Sequence, residues 1–208
     1  MKILHLDSSV LGDNSVSKAL TAKVAAAWKG AAPHAVVRHR DLGTEAPQHL
    51  SPGYFAIGAT PEDQRSESQT SELKLSDALI EEFIAADALI IGAPLYNFTI
   101  PSGLKAWIDR VVVAGKTFKY SAEGPTGLAG EKKVVIVATS GGKYADTPVD
   151  AAHVGHLKTV LGFVGLKDVT VVRAAGLNMG PESREAALAD ADAQIAALFA
   201  GEKATVAA

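Results

Sequence analysis

Apolar residues recur along the chain with two periods, one suited to strands and one to helices. Lys2 to Leu6 is a short apolar run that stops at Asp7-Ser8-Ser9, and Ser15 to Trp28 carries Val16, Leu20, Val24 and Ala27 at helical spacing. The pattern predicts strand, loop and helix in succession. Ala35 to Arg40 alternates loosely and predicts a second strand. From Asp41 to Gln69 the chain is rich in Pro, Gly, Ser, Glu and Gln and reads as one long loop. Loops beyond about 12–15 residues in a compact domain tend to be functional covers or mobile segments, so this one is expected to border a site or a partner.

Glu72 to Ala86 places Leu75, Leu79, Ile80 and Phe83 on one helical stripe and leads into Ala88 to Ala93, a continuous apolar run ended by Pro94. Unbroken hydrophobicity is what a strand covered on both faces requires, and Val134 to Ala138 and Val169 to Val172 repeat it. Helical patterns follow at Ser102 to Ala114, Val149 to Val164 and Glu182 to Phe199, with Gly201 as the stop of the last. Five strands alternating with helices imply right-handed crossovers and a parallel sheet covered on both faces. The expected fold is a three-layer α/β sandwich in the flavodoxin-like strand order 2-1-3-4-5. Residues 1–208 read as one domain, without internal repeat, and the tail Glu202 to Ala208 is expected to fray.

Composition narrows the class. Apolar residues make up 48% of the chain and charged ones 21%, the balance of an ordinary globular domain. A chain of 208 residues can bury roughly 70% of its unfolded surface and needs no staple. It has no cysteine, which excludes disulfides, thiolate nucleophiles and cysteine-held metal. A formal charge of −3 offers no footprint for a nucleic-acid backbone, so no nucleic-acid partner is expected. The stretch from Ala85 to Phe98 is cut by Asp87 and Pro94 and falls short of the ~20 apolar residues of a membrane span. The N-terminal apolar run is too short for a signal peptide, and the chain is expected to be cytoplasmic, with no membrane partner.

In an open α/β sheet the ligand lies beyond the carboxyl ends of the strands, which singles out three loops. The first, Asp7 to Ser17, carries four serines and an asparagine into a helix N-terminus. Backbone N–H groups, the helix dipole and the hydroxyls of Ser9, Ser15 and Ser17 suit a phosphate dianion, while Asn14 or Ser15 equally suits a helix cap. The second, Pro94-Leu95-Tyr96-Asn97-Phe98-Thr99-Ile100-Pro101, sets two aromatics beside an amide between prolines, a turn suited to a planar ring or simply to packing. The third, Thr139-Ser140-Gly141-Gly142, lets backbone approach a ligand closely. Walker A and dinucleotide fingerprints are absent from the sequence, and Ala138 stands where a nucleophile elbow needs glycine.

Other chemistry-bearing residues read as ordinary. His153 and His156 share a helix with Asp150 but lack a further ligand set. Arg38-His39-Arg40-Asp41 reads as a strand end with charge pairing, and Asp7 has no acidic neighbour to hold magnesium. No metal site is expected. The loop chemistry alone leaves open a reductase, an electron carrier that binds a flavin, and a phosphate-binding domain without enzymatic activity.

In this order on a chain of this length, the serine-rich loop, the Pro-x-Tyr-Asn-Phe turn and the Ser-Gly-Gly turn resemble the FMN-dependent NADH:azoreductase and NADH:quinone oxidoreductase family. Thr117-Phe118-Lys119-Tyr120, Glu123 to Leu128 and Leu161-Gly162-Phe163-Val164-Gly165 extend the likeness over nearly the whole chain. The resemblance implies FMN, with its phosphate on Ser9, Ser15, Val16 and Ser17. Its ring would lie on Pro94, Leu95, Tyr96, Asn97 and Phe98, with Thr139, Ser140, Gly141 and Gly142 closing the pyrimidine side. It further implies a homodimer in which Tyr120 and Phe163 of a neighbouring subunit wall the substrate face. Electrons would pass from NADH or NADPH through flavin N5 to a quinone or aromatic azo compound in a ping-pong cycle, with no separate catalytic side chain. Leu95 and Val16 depart from a methionine and a glutamine common in that family, which alters packing at the ring edge while leaving backbone contacts available.

Overall fold

A computed structural model describes residues 1–200; the expected stop at Gly201 and the tail from Glu202 to Ala208 lie outside the described residues. Five strands, β1 (Lys2–Asp7), β2 (Val36–Asp41), β3 (Ala88–Pro94), β6 (Lys133–Ser140) and β7 (Val169–Ala175), form one parallel sheet in the order β2-β1-β3-β6-β7. Taken by sheet strands alone, this is the expected 2-1-3-4-5 order. β3 sits at the centre and is buried at every position, as its unbroken apolar run requires.

Alternate residues of each strand feed two cores. Ile3, Ile90, Val135 and Val137 face α1 (Val16–Ala31) and α7 (Pro181–Leu198), meeting Leu20, Val24, Trp28 and Ile195. Leu4, Leu6, Leu89, Ile91 and Ile136 face the opposite layer, α3 (Glu67–Ala85), α4 (Ser102–Val111) and α6 (His156–Phe163), meeting Phe83, Trp107 and Leu161. Since side chains alternate across a strand, a shift of one residue would exchange the two cores, which fixes the register.

Four segments differ from the sequence pattern. α3 begins at Glu67 rather than Glu72, because Ser66 and Gln69 close a capping box on a first turn that holds no apolar stripe. The segment read as one loop contains α2 (Pro52–Ala56) and two 3₁₀ turns, at 57–59 and 62–64. The helix expected over 149–164 is broken into α5 (Pro148–Asp150), a π-helical turn (Ala151–Gly155) and α6. An antiparallel hairpin, β4 (Phe118–Ser121) and β5 (Gly124–Gly127), is additional; its strands carry Gly and Pro, which hide it from propensity. Among the described residues no helix is long and apolar enough to cross a membrane.

The 42–66 segment is clamped by Arg110, whose side chain is fully buried. Its guanidinium donates to the carbonyls of Gln48 and His49, to Ser76 Oγ and to Glu72 Oε2 at 3.0–3.3 Å, and stands 5.1 Å over the Tyr54 ring. A buried cation is tolerated because several acceptors face it; removing it would orphan them and cost about 3 kcal/mol or more.

Candidate functional site

The carboxyl ends of β1, β3 and β6 converge with the N-terminus of α1 around one cavity of about 180 Å³. Ser9, Ser15, Val16, Ser17, Pro94, Leu95, Tyr96, Thr139, Ser140 and Gly141 all line it, joined by Leu11, Asn14, Leu177, Asn178 and Arg184. Three loops far apart in sequence are thus walls of one space, as the sheet topology demands.

The serine loop leaves β1 and turns through a 3₁₀ segment at 12–14 before α1 starts. Ser15 is the N-cap: its Oγ accepts the amide of Lys18 at 3.2 Å and lies 3.1 Å from Ser17 Oγ. The cap and ligand readings of this serine are compatible, because a hydroxyl has two lone pairs and one proton. Asn14 lies within the 3₁₀ segment rather than at the cap. Gly43 allows the chain after β2 to cross here; a Cβ on it would fall 2.0 Å from the Ser9 carbonyl oxygen.

The second loop is a two-residue hairpin. Tyr96 and Thr99 exchange backbone hydrogen bonds of 3.0 and 3.1 Å, and Asn97 and Phe98 between them have φ of 47° and 68°. These are the angles of a type I′ turn, which glycine or asparagine adopts easily and phenylalanine does not. The turn holds Phe98 61% exposed and leaves the amides of Asn97 and Phe98 without an acceptor among the described residues. Leu95 N donates to Thr139 O at 2.8 Å, and Thr99 Oγ1 to Ala152 O at 2.9 Å, so both flanks are tied down.

The third loop pairs with 176–178: Leu177 N donates to Ser140 O and Asn178 N to Gly141 O. A Cβ on Gly141 would meet Asn178 Nδ2 at 2.6 Å, so glycine is what admits the amide side chain to the cavity wall. Gly142 lies against Tyr144, whose ring is edge-on to Phe98 at 6.3 Å.

Some expected residues stand apart. Asn97, with Tyr96, borders an adjoining open groove of about 850 Å³ that also holds Lys105, His156 and Thr159. Phe98 and Gly142 flank the cavity without lining it. Tyr120 and Phe163 both pack on Phe118, with ring centroids 5.4 and 4.6 Å from it. They lie where α4 and α6 have crossed back to the amino edge of the sheet, beside Gly127 and Val164, remote from the three loops of their own chain.

Arg184, on α7, is the cation that the sequence pattern missed, and Asn178 the amide. Arg184 follows Gly180-Pro181 in the first turn of α7, a segment whose polar residues resemble any solvated helix start. Lys18 is unavailable, being held by Asp41 at 2.6 Å. His153 Nε2 donates to the Ala93 carbonyl at 2.9 Å and braces the end of β3 under the aromatic turn; burial pushes its pKa down. Asp150 forms a two-pronged pair with Arg173 at 2.6 and 3.0 Å, so the Asp150, His153 and His156 set does not come together.

Residues 1–199 match the family model of the flavodoxin-like fold. The chain is 55% identical over 201 residues to FMN-dependent NADH:quinone oxidoreductase 1 of Pseudomonas putida, covering 96% of this chain and 99% of that one. It is 52% identical over 200 residues to FMN-dependent NADH:quinone oxidoreductase 2 of Pseudomonas aeruginosa, with 96% and 99% covered. The structure superposes on an azoreductase from Bacillus anthracis with a TM-score of 0.84 at 29% identity, over 95% of this chain and 98% of that chain.

Proposed function

The chain belongs to the flavodoxin-like fold family, and on that premise we propose that it is an FMN-dependent oxidoreductase passing two electrons from NADH or NADPH to quinones and aromatic azo compounds. The observation that carries this reading is the single cavity walled by a serine-rich helix N-terminus, an aromatic turn and a glycine turn.

The residues present fit FMN. Ser9, Ser15, Ser17, the amides that open α1 and Arg184 form a donor set for a phosphate dianion. Pro94, Leu95, Tyr96, Asn97 and Phe98 supply a flat edge and free amides for a ring, and Thr139, Ser140, Gly141 and Gly142 close its other side. When bound, FMN supplies the hydride-accepting centre and the two-electron chemistry. The protein positions the reacting ring and excludes water, and the free amides of Asn97 and Phe98 stabilise negative charge facing the turn.

The groove beside Tyr96 and Asn97 receives the substrates, and NADH departs before the acceptor enters the same face, in ping-pong order. A second copy of the chain covers that groove and contributes Tyr120 and Phe163, which their remoteness from their own loops supports. The homodimer is cytoplasmic.

An anaerobic titration of the FMN-loaded, desalted protein with NADH tests the reading. Visible flavin bands that survive desalting, bleach with NADH and return on adding a quinone are expected. Bound flavin that does not bleach would identify an electron carrier, and failure to retain flavin would undo the site assignment. Steady-state lines for varied NADH at several quinone concentrations are expected to be parallel; intersecting lines would overturn the ping-pong order.

A further inference from the structure

We propose that His5, Asp7 and His39 form a binding site for a single divalent transition-metal cation of the Zn²⁺ class, separate from the cavity at the strand ends. The three residues offer one donor atom each, all within 4.8 Å of one another. The sheet puts them together: His5 and Asp7 are two apart on β1 and therefore share a face, and His39 on β2 is the register partner of His5. A linear reading of Arg38-His39-Arg40-Asp41 as ordinary charge pairing misses this, because the contact depends on parallel register between residues 34 positions apart in sequence.

Three observations point to a ligand. The Nε2 atom of His5 is buried, makes no well-aligned hydrogen bond and meets Asp7 Oδ1 only in a long ion-pair contact of 3.4 Å. Tetrahedral Zn²⁺ with bonds of ~2.0–2.1 Å sets neighbouring donor atoms about 3.3 Å apart, a spacing that this contact matches. Asp7 is oriented from behind by Thr21, whose Oγ1 donates to Oδ1 at 2.7 Å, the outer support that metal-binding carboxylates require. The third donor, His39 Nε2, lies 2.9 Å from Asp7 Oδ2, and its side chain is 49% exposed, which gives the cation an entrance and leaves a fourth position for water. His39 becomes a ligand when its ring proton sits on Nδ1, exchanging its hydrogen bond to Asp7 for a metal bond. Two imidazoles and one carboxylate favour a borderline cation over Mg²⁺ or Ca²⁺, which take oxygen donors. Neighbouring Asp41 is engaged by Lys18 and by the Gly43 amide, so the set is His, Asp, His.

The test is calorimetric titration of Zn²⁺ into the full-length, tag-free, flavin-loaded protein after chelator treatment, beside His39→Ala and, as a control at an exposed histidine in the turn before β2, His34→Ala. One site per chain is expected, with affinity unchanged in His34→Ala and reduced at least about tenfold in His39→Ala, since loss of even a supporting group costs that much. His39 stands on a partly exposed edge strand, and equal flavin retention verifies that its variant folds. Co²⁺ is expected to give the intense d–d bands of tetrahedral coordination to the red of the flavin absorption. Absence of saturable Zn²⁺ binding, equal affinity in His39→Ala, or weak octahedral Co²⁺ bands would overturn the proposal. Flavin reduction by NADH is read separately, so failure here leaves the reductase assignment untouched.

Discussion

The phenol oxygen of Tyr96 lies 2.9 Å from Ser9 Oγ and accepts the Val10 amide at 3.2 Å, tying the aromatic turn to the serine loop across 87 positions of sequence. Ser9 Oγ also accepts the amide of Leu11 at 3.3 Å. With the phenol donating to it, Ser9 keeps its own proton for a ligand. Tyr96→Phe is expected to cost about 1 kcal/mol of stability and to weaken FMN retention several-fold, because two partners lose one shared group. Fluorescence titration of FMN and a urea midpoint check both parts.

Arg184 gives the serine pocket its charge. Arg184→Gln is expected to weaken FMN by about tenfold or more while changing riboflavin affinity little, because a charge-assisted contact to phosphate is worth about 1.5–3 kcal/mol and riboflavin has no phosphate. Paired titrations with the two flavins decide it. An equal loss for both would place the arginine against the ring instead.

Phe98 occupies left-handed backbone that costs a non-glycine residue roughly 1–2 kcal/mol. Phe98→Gly is expected to leave folding stability unchanged or raised by up to about 1 kcal/mol while lowering quinone reductase activity, since the exposed ring is lost and the turn loosens. Thermal unfolding beside kcat/KM measures the two effects on the same preparation.

His153 makes stability depend on pH. Its native pKa is depressed by burial, so the folded state holds a neutral imidazole while the unfolded chain titrates near its ordinary value of about 6.5. Above that pH the protonation states match and no stability is lost. As pH falls through about 6.5 toward the depressed native value, the unfolded state takes up the proton first and stability declines. His153→Gln, which keeps a donor for Ala93 O, is expected to remove that part of the decline. Urea midpoints of both proteins at neutral and mildly acidic pH reveal it.

Strand order and the three loops were legible because burial on both faces writes long apolar runs, and because strand ends fix where loops meet. Ser9, Leu95, Tyr96, Ser140 and Gly141 follow from that rule. The hairpin at 118–127 was hidden because short strands containing Gly124, Pro125 and Gly127 carry no periodic signal. Arg184 and Asn178 were hidden for a different reason: Asn178 reaches the cavity from the β7–α7 connection and Arg184 from the first turn of α7, and nothing local distinguishes a helix-start arginine that faces a ligand from one that faces water. The early start of α3 depended on the reciprocal cap between Ser66 and Gln69, a signal present in the sequence but masked by the polar composition around it.

The serine loop and the aromatic pair Tyr120 and Phe163 sit at opposite edges of the sheet, so in the proposed dimer one chain would carry two halves that belong to different sites. Arg184→Gln and Tyr120→Ala therefore injure different halves. In a mixed dimer one site collects both lesions and the other collects none. Two impaired alleles expressed in the same cell would then give more activity than either gives alone, the genetic signature expected of the proposed shared site.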